Sequence, residues 1–177
     1  TGSVFRPAMA GPRPTGHTGG MDQSATGRND DTAPPFDAVT PDTKDWSWVM
    51  DRPCPECGFA AATLDPLAIG GAVRASLSRW HEVLGRPDAG RRPEPGTWSP
   101  LEYAAHINDV FRLFHHRLAL MLDGTDPVFQ DWNQDTAAIE GHYAEQDPAA
   151  LAEAITVAGE RIALSFDALT ADQLERT

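Results

Sequence analysis

The sequence predicts an all-α protein, a bundle of three long helices and one short helix joined by antiparallel or crossover connections. Over three long stretches, apolar residues recur at steps of three and four, the spacing that places them on one face of an α-helix. Each stretch follows a Ser or Asp and a proline, a combination that caps the first turn of a helix. No stretch shows the alternating pattern of a half-buried strand.

The central helix is predicted from Ser99 to Leu122. Ser99 and Glu102 form a capping box, and Pro100 occupies the first helical position. At about 100° per residue, the apolar residues of this helix fall on one broad arc: Tyr103, Ala104, Ile107, Val110, Phe111, Phe114, Leu118, Met121 and Leu122. We therefore expect more than half of its circumference to be buried, with His106 at the margin of the apolar face.

Two further long helices lie on either side of the central one in the sequence. The first is predicted to begin at Asp65 and Pro66 and to end at Gly85. The other begins at Asp147 and Pro148 and carries an apolar stripe over about five turns. The stripe consists of Leu151, Ile155, Ala158, Ile162, Phe166 and Leu169.

The remaining parts of the bundle are shorter. Residues 128–146 have mixed patterning, which predicts a loop and a short helix. Thr170 and Gln173 form a second capping-box signature, and only four residues follow. A helix start with so little chain behind it indicates that the sequence has lost its C-terminal part; the alternative is a polar tail.

The chain divides into three parts by composition. Residues 1–43 are rich in Gly, Pro, Ser, Thr and Asp, and we expect a disordered tail because they bury too little apolar surface to order themselves. Residues 44–64 are expected to form an extended segment that wraps along the bundle, anchored by Trp46 and Trp48. Residues 65–177 are expected to form the helical bundle.

Charge and composition exclude several classes of function. The formal net charge of −12 argues against nucleic-acid binding, which requires basic surfaces. No apolar run approaches the roughly 20 residues of a membrane span, and no basic-then-apolar leader is visible. Two cysteines are too few for a disulfide framework. A cytoplasmic protein that binds neither nucleic acid nor membrane is the resulting expectation.

His106 is the leading candidate for chemistry. A histidine on the inner edge of a bundle helix can ligate a metal ion between helices, although such residues are more often hydrogen-bonded parts of the core. Asp109, three residues later, could orient the imidazole or could be a solvated surface residue. His115 and His116 are expected to be exposed. His81 and His142 are expected to be structural.

A second candidate is the pair Cys54 and Cys57 in the sequence CPEC. The spacing fits half of a zinc-ribbon site or a redox pair, but a ribbon needs a second pair and none is present. Pro53 and Pro55 favour an extended turn over the helix start that the redox reading needs. A structural turn is therefore favoured, and a metal site completed by a histidine is the main alternative.

The stretch WSPLEYAAHINDVFRLFHHRLALML resembles the second helix of the DinB-like (YfiT-type) metalloenzymes, which include bacillithiol transferases and mycothiol-dependent maleylpyruvate isomerases. The resemblance rests on the spacing from Trp98 to His106, and DRPCPECGF resembles an actinobacterial branch of the family. It extends over residues 45–177. It implies a four-helix bundle that here lacks most of its last helix.

The resemblance also implies chemistry. A divalent metal ion, zinc or nickel, would be held by three side chains, and His106 matches the family's ligand on the second helix. The other two ligands would come from a last helix that this sequence does not include, so the chain as given is expected to be inactive. A complete relative would act as a transferase or isomerase on a small molecule with a low-molecular-weight thiol, here mycothiol.

Two further expectations accompany this reading. Trp132 could line the pocket mouth and contact the cofactor, or it could merely cap the bundle. A homodimer is plausible because a three-helix remnant would need a partner to cover its apolar side. The alternative to an enzyme is a non-catalytic stress-response or assembly module in which the cysteine pair is a structural turn.

Overall fold

The computed structural model describes residue 45 and residues 47–175, and this part of the chain is helical, without strands. The α-helices are α1 (Ile69–Leu84), α2 (Pro100–Asp123), α3 (Gln134–Glu140), α4 (Pro148–Asp167) and α5 (Ala171–Leu174). The all-α prediction is thus confirmed. None of the described helices has the length and apolarity needed to cross a bilayer. The predicted disordered tail and Trp46 lie outside the described residues.

The start of α2 forms as the sequence predicts. The Ser99 hydroxyl accepts a hydrogen bond from the backbone N–H of Glu102 at 3.2 Å, and the Ser99 N–H donates to Glu102 Oε2 at 2.7 Å. These two bonds satisfy donors that a helix N-terminus otherwise leaves unpaired. The backbone N–H of Leu101 also donates to the carbonyl of Ala89 at 2.8 Å, which ties the helix to the preceding loop.

The other predicted caps are also present. The Asp65 carboxylate accepts from the N–H of Leu67, but the first turn is a 3₁₀ helix (Pro66–Ala68), and α1 proper begins at Ile69. The Asp147 carboxylate accepts from the third residue of α4 at 2.8 Å. At α5, Thr170 and Gln173 form the predicted capping box. Short polar side chains therefore define where three of the helices start.

Helix α4 is the element on which the bundle is assembled. It packs along both α1 and α2, whereas α1 and α2 touch each other only briefly. Gly159 marks a close approach to both helices, because a Cβ there would overlap Leu77 of α1 and would lie 3.2 Å from Phe111 Cε2 of α2. The buried core is made of Leu77, Leu84, Trp98, Leu101, Ala104, Ala105, Ala138, Tyr143, Leu151, Ala152 and Ile155.

The prediction that α2 buries more than half of its circumference is wrong for much of its length. Its fully buried residues all fall between Leu101 and Ala105. Further along the predicted apolar arc, Phe114 and Met121 are 46% and 51% exposed, and Tyr103 near the start is 47% exposed. The reason is that α4 covers one side of α2 and α1 hardly reaches it. Periodicity identifies the apolar face, but it does not show which neighbours cover that face.

The segment before the bundle is less extended than expected. It contains two 3₁₀ turns, Ser47–Met50 and Ala61–Thr63. The Asp45 carboxylate accepts from the N–H of Ser47 at 2.8 Å, which favours a turn over an extended chain. Trp48 is half-buried, with the Arg52 guanidinium 4.9 Å from its ring centroid. The prediction of an extended segment is therefore wrong at these two turns.

Candidate functional site

His106 lies near the start of α2, one turn after the capping residues. Its side chain is half-buried, and its Nδ1 atom is buried without a hydrogen-bond partner in the described part of the chain. Burial lowers the pKa of His106 below its ordinary value, and the charge of Asp109 opposes this shift only in part. The imidazole is therefore neutral at neutral pH, which is the form that binds metal ions.

Two indole rings hold the His106 ring. Trp132, in the loop before α3, is stacked on it with a centroid distance of 5.4 Å and an interplanar angle of 23°. Trp98, which is buried, lies on the helix-entry side with a centroid distance of 5.3 Å and an angle of 57°. The structure thus brings together two residues that the sequence singled out separately, and the indoles restrict the orientation of the imidazole.

Asp109 is held by Tyr143 rather than by His106. The Tyr143 hydroxyl donates to Asp109 Oδ2 at 2.6 Å, and burial together with this carboxylate raises the pKa of Tyr143. Asp109 is half-buried, so the alternative of a solvated surface residue is wrong. Tyr143 also contacts Trp98, with ring centroids 6.2 Å apart. We call His106, Asp109, Tyr143 and the two tryptophans the His106 cluster.

A buried ion pair fixes the start of the helix that carries this cluster. Arg92 Nε donates to both carboxylate oxygens of Glu102, at 3.1 and 2.9 Å, and Arg92 Nη2 also donates to Oε1. The two side chains are 2% and 1% exposed. Burial by itself would raise the pKa of Glu102, but the hydrogen bonds from Arg92 and Ser99 outweigh it and lower the pKa. Glu102 is therefore ionised, and it joins Arg92 to the N-terminal cap of α2, one turn before His106.

Neither Arg92 nor Tyr143 was identified from the sequence. Arg92 lies in a loop ten residues before its partner, and Tyr143 lies 34 residues after Asp109. Periodicity carries no information on such pairs, because it relates residues on one helix face only. The sequence offers one indication of the ion pair: the carboxylate of the capping residue Glu102 can accept hydrogen bonds from a further donor.

The other histidines lie apart from the cluster. His115 was expected to be exposed, but it is half-buried, with Nδ1 3.0 Å from Ser165 Oγ on α4. The close packing of α4 along α2 explains this difference. His81 Nε2 lies 2.8 Å from Thr156 Oγ1, also on α4. Three of the histidines that the structure describes are exposed: His81, His116 and His142.

The metal ligands that the family resemblance implies are only partly represented. Among residues 45 and 47–175, no three His, Cys, Asp or Glu side chains gather in an arrangement that could hold a metal ion. His106, with its buried and unpartnered nitrogen, fits the part of a single ligand. The described residues do not supply the second and third ligands.

Cys54 and Cys57 lie in a tight turn, as the framing prolines suggest. The Gly58 N–H donates to the carbonyl of Cys54 at 2.8 Å, and the Cys54 N–H donates to the carbonyl of Phe59 at 2.7 Å. Both thiols are free, with Cys54 half-buried and Cys57 exposed. Backbone N–H groups of Cys57 and Glu56 hydrogen-bond the Cys54 sulfur and lower the pKa of that thiol. Among the described residues, no histidine completes a three-ligand group with the pair.

Trp132 also lines a cavity on the surface of the bundle. The cavity has a volume of about 330 Å³ and is bordered by His116, Arg117, Phe129 and Asp131. The Arg117 guanidinium is fixed there, since it lies 5.3 Å from the Phe129 ring centroid and donates to the carbonyl of Gln130. One edge of this cavity is therefore formed by the indole that stacks on His106.

Comparison with known proteins gives one match. The family model of the DinB superfamily matches residues 70–177, which includes α1 to α5 apart from the first residue of α1. No curated protein and no solved structure matches the chain. Since the matched region spans more than half of the sequence, this protein belongs to the DinB superfamily.

Proposed function

We propose that this chain is part of a metal-dependent transferase or isomerase that uses a low-molecular-weight thiol, with His106 as a metal ligand. The observation that carries the proposal is the buried, unpartnered Nδ1 of His106. A polar atom buried without a partner costs about 1–3 kcal/mol. A neutral imidazole held in this state by two indole rings is suited to binding a ligand that the described residues do not provide.

A divalent zinc or nickel ion would supply Lewis acidity, lowering the pKa of a thiol or water bound to it. The chain's own residues prepare the site for this. Trp98 and Trp132 orient the imidazole and keep water from its faces. Burial keeps the imidazole neutral and therefore able to bind a cation. The Arg92–Glu102 pair holds the first turn of α2, so that the position of His106 is fixed relative to the loop.

The cavity beside Trp132 is the proposed place for the thiol cofactor or a small-molecule substrate. Its border combines an apolar wall, Trp132 and Phe129, with polar groups on Arg117, His116 and Asp131. Small-molecule sites typically combine such walls with a few polar groups that set orientation. Mycothiol, a small polar thiol, is the cofactor suggested by the family resemblance.

Metal binding tests the proposal directly. The protein carries Cys54→Ser and Cys57→Ser so that thiolates do not contribute, and it is dialysed against Ni²⁺ or Zn²⁺ before metal analysis. We expect metal to bind, at no more than one ion per chain, and to be lost on the further change His106→Ala. The matched control is His81→Ala, a histidine on α1 outside the cluster.

Two outcomes contradict the proposal. Metal binding that is equal with and without His106 would remove it as a ligand. Absence of metal from all the variants would favour the non-catalytic bundle. Retained binding in His81→Ala with loss in His106→Ala supports the metal-ligand assignment.

A further inference from the structure

The turn formed by Cys54 to Phe59 carries both cysteines of the chain, three residues apart. These are the only two cysteines in the sequence. The turn is closed by two backbone hydrogen bonds of 2.7 and 2.8 Å, which fix the backbone between the two cysteines. Two sulfurs on one closed turn can bind the same ion without a large change in the backbone.

The backbone around the pair is arranged to stabilise a thiolate. Hydrogen bonding from the backbone N–H groups of Cys57 and Glu56 lowers the pKa of the Cys54 thiol. Hydrogen bonds to the charged form of a group favour that form. The thiolate is the form of cysteine that binds metal ions. The turn therefore presents a sulfur ligand that is prepared for a cation.

The turn is rigid and accessible. Pro53 and Pro55 restrict the backbone on either side of Cys54. Gly58 has φ of +73°, a left-handed conformation that closes the turn and that other residues adopt only with strain. Cys57 is exposed, so an ion can reach the pair from solution. The negative charge of the whole chain, −12, also favours approach of a cation.

We propose that Cys54 and Cys57 form a two-thiolate site for a thiophilic divalent cation such as Zn²⁺, separate from the His106 cluster. Binding replaces the two S–H bonds by two metal–sulfur bonds and releases two protons to solvent. Water fills the other coordination positions, because no third His, Cys, Asp or Glu in the described residues joins the pair. The affinity is accordingly lower than that of a four-ligand structural zinc site.

Cadmium is the probe for this site because it gives a near-ultraviolet thiolate-to-metal absorption. Titration of the reduced protein with Cd²⁺ is expected to saturate at one equivalent, to release about two protons and to protect both thiols from alkylation. Cys57→Ser removes the absorption or shifts it to much higher Cd²⁺ concentration. His106→Ala leaves it unchanged, which separates this site from the metal site proposed above.

A second variant tests the role of the turn itself. Gly58→Ala introduces no steric overlap, since no atom lies within 4 Å of the added Cβ, but it strains the left-handed backbone. We expect Cd²⁺ affinity to fall by about five- to thirty-fold, because a left-handed conformation costs a non-glycine residue about 1–2 kcal/mol. The matched control is Gly71→Ala on α1, which also has open space and should leave affinity unchanged.

Several results would overturn the two-thiolate site. These are no thiolate absorption with Cd²⁺, equal alkylation rates with and without the ion, or an absorption that appears in Cys57→Ser at the same Cd²⁺ concentration as in the wild type. Saturation at half an equivalent would show that two chains share one ion and would also contradict it. A glutathione buffer could also convert the pair to a disulfide, to which Cd²⁺ does not bind. That result would assign the pair to redox chemistry instead.

Discussion

Replacing Arg92 by methionine should destabilise the fold more than any other single change at a charged residue described above. The change leaves Glu102 at 1% exposure with its carboxylate deprived of the guanidinium. Removing one partner of a buried ion pair costs about 3–5 kcal/mol. The Ser99 N–H at 2.7 Å and the helix N-terminus still stabilise the carboxylate, so we expect a loss near the lower limit, about 3 kcal/mol.

The pH dependence of this loss gives a second, independent test. In the wild type the pKa of Glu102 is lowered below its ordinary value of 4.5, so its contribution to stability is present above that value and is lost as pH falls through the lowered pKa. In Arg92→Met, the hydrogen bonds from Arg92 no longer oppose the effect of burial, so burial raises the pKa of Glu102. Glu102 of the variant then takes up a proton on folding. The loss of stability relative to the wild type should therefore shrink as the pH falls from about 7 to about 5.

Urea unfolding followed by far-ultraviolet circular dichroism measures both effects. The matched control is Arg86→Met, which breaks an ion pair with Asp88 whose side chains are 53% and 57% exposed. That loss should stay below about 1 kcal/mol. Adding Glu102→Gln to Arg92→Met removes the stranded charge and should recover more than half of the deficit. A deficit for Arg92→Met no larger than that of Arg86→Met would refute the reasoning.

Three further predictions can be tested by the same unfolding measurement. Gly159→Ala should cost about 1–3 kcal/mol by overpacking, whereas Gly71→Ala, with open space around its Cβ, should stabilise the protein by about 0.5–1 kcal/mol; equal effects would contradict the close approach of α1 and α4. Tyr143→Phe should cost about 1.5–3 kcal/mol because it removes a hydrogen bond to the Asp109 carboxylate; a neutral result would show that this bond is replaced by water. The lowered pKa of His106 makes its contribution to stability complete above the ordinary value of 6.5 and lost as pH falls through the lowered pKa; unfolding between about pH 7 and pH 5 should therefore depend less on pH in His106→Gln than in the wild type.

Much of the fold could be predicted because its signals are local. The caps at Ser99, Asp147 and Thr170 each depend on the residue three positions later, and all three form. The extent of burial depends on which helices become neighbours. The sequence indicated α2 as the central element, yet Phe114 and Met121 remain about half exposed, since α4 is the helix that contacts both others.

The candidate site could be predicted only in part for the same reason. His106 was identified because it lies at the edge of an apolar helix face, and Trp132 because it follows that helix. Their stacking, and the hydrogen bond between Tyr143 and Asp109, join residues that are 26 and 34 positions apart. No local pattern encodes such distances. A homodimer and a cytoplasmic location stay predictions.

The placement of α4 between α1 and α2 has a consequence for how the chain acquires its structure. Leu77 and Gly159 meet across most of the length of the domain, so the first helix gains its main contacts only after the last long helix has been synthesised. Before then, α1 and α2 do not form a stable hairpin, because they make few contacts with each other. Contacts so distant in sequence slow folding relative to bundles of successive neighbours. During synthesis, the apolar faces of α1 and α2 therefore stay exposed until α4 has emerged.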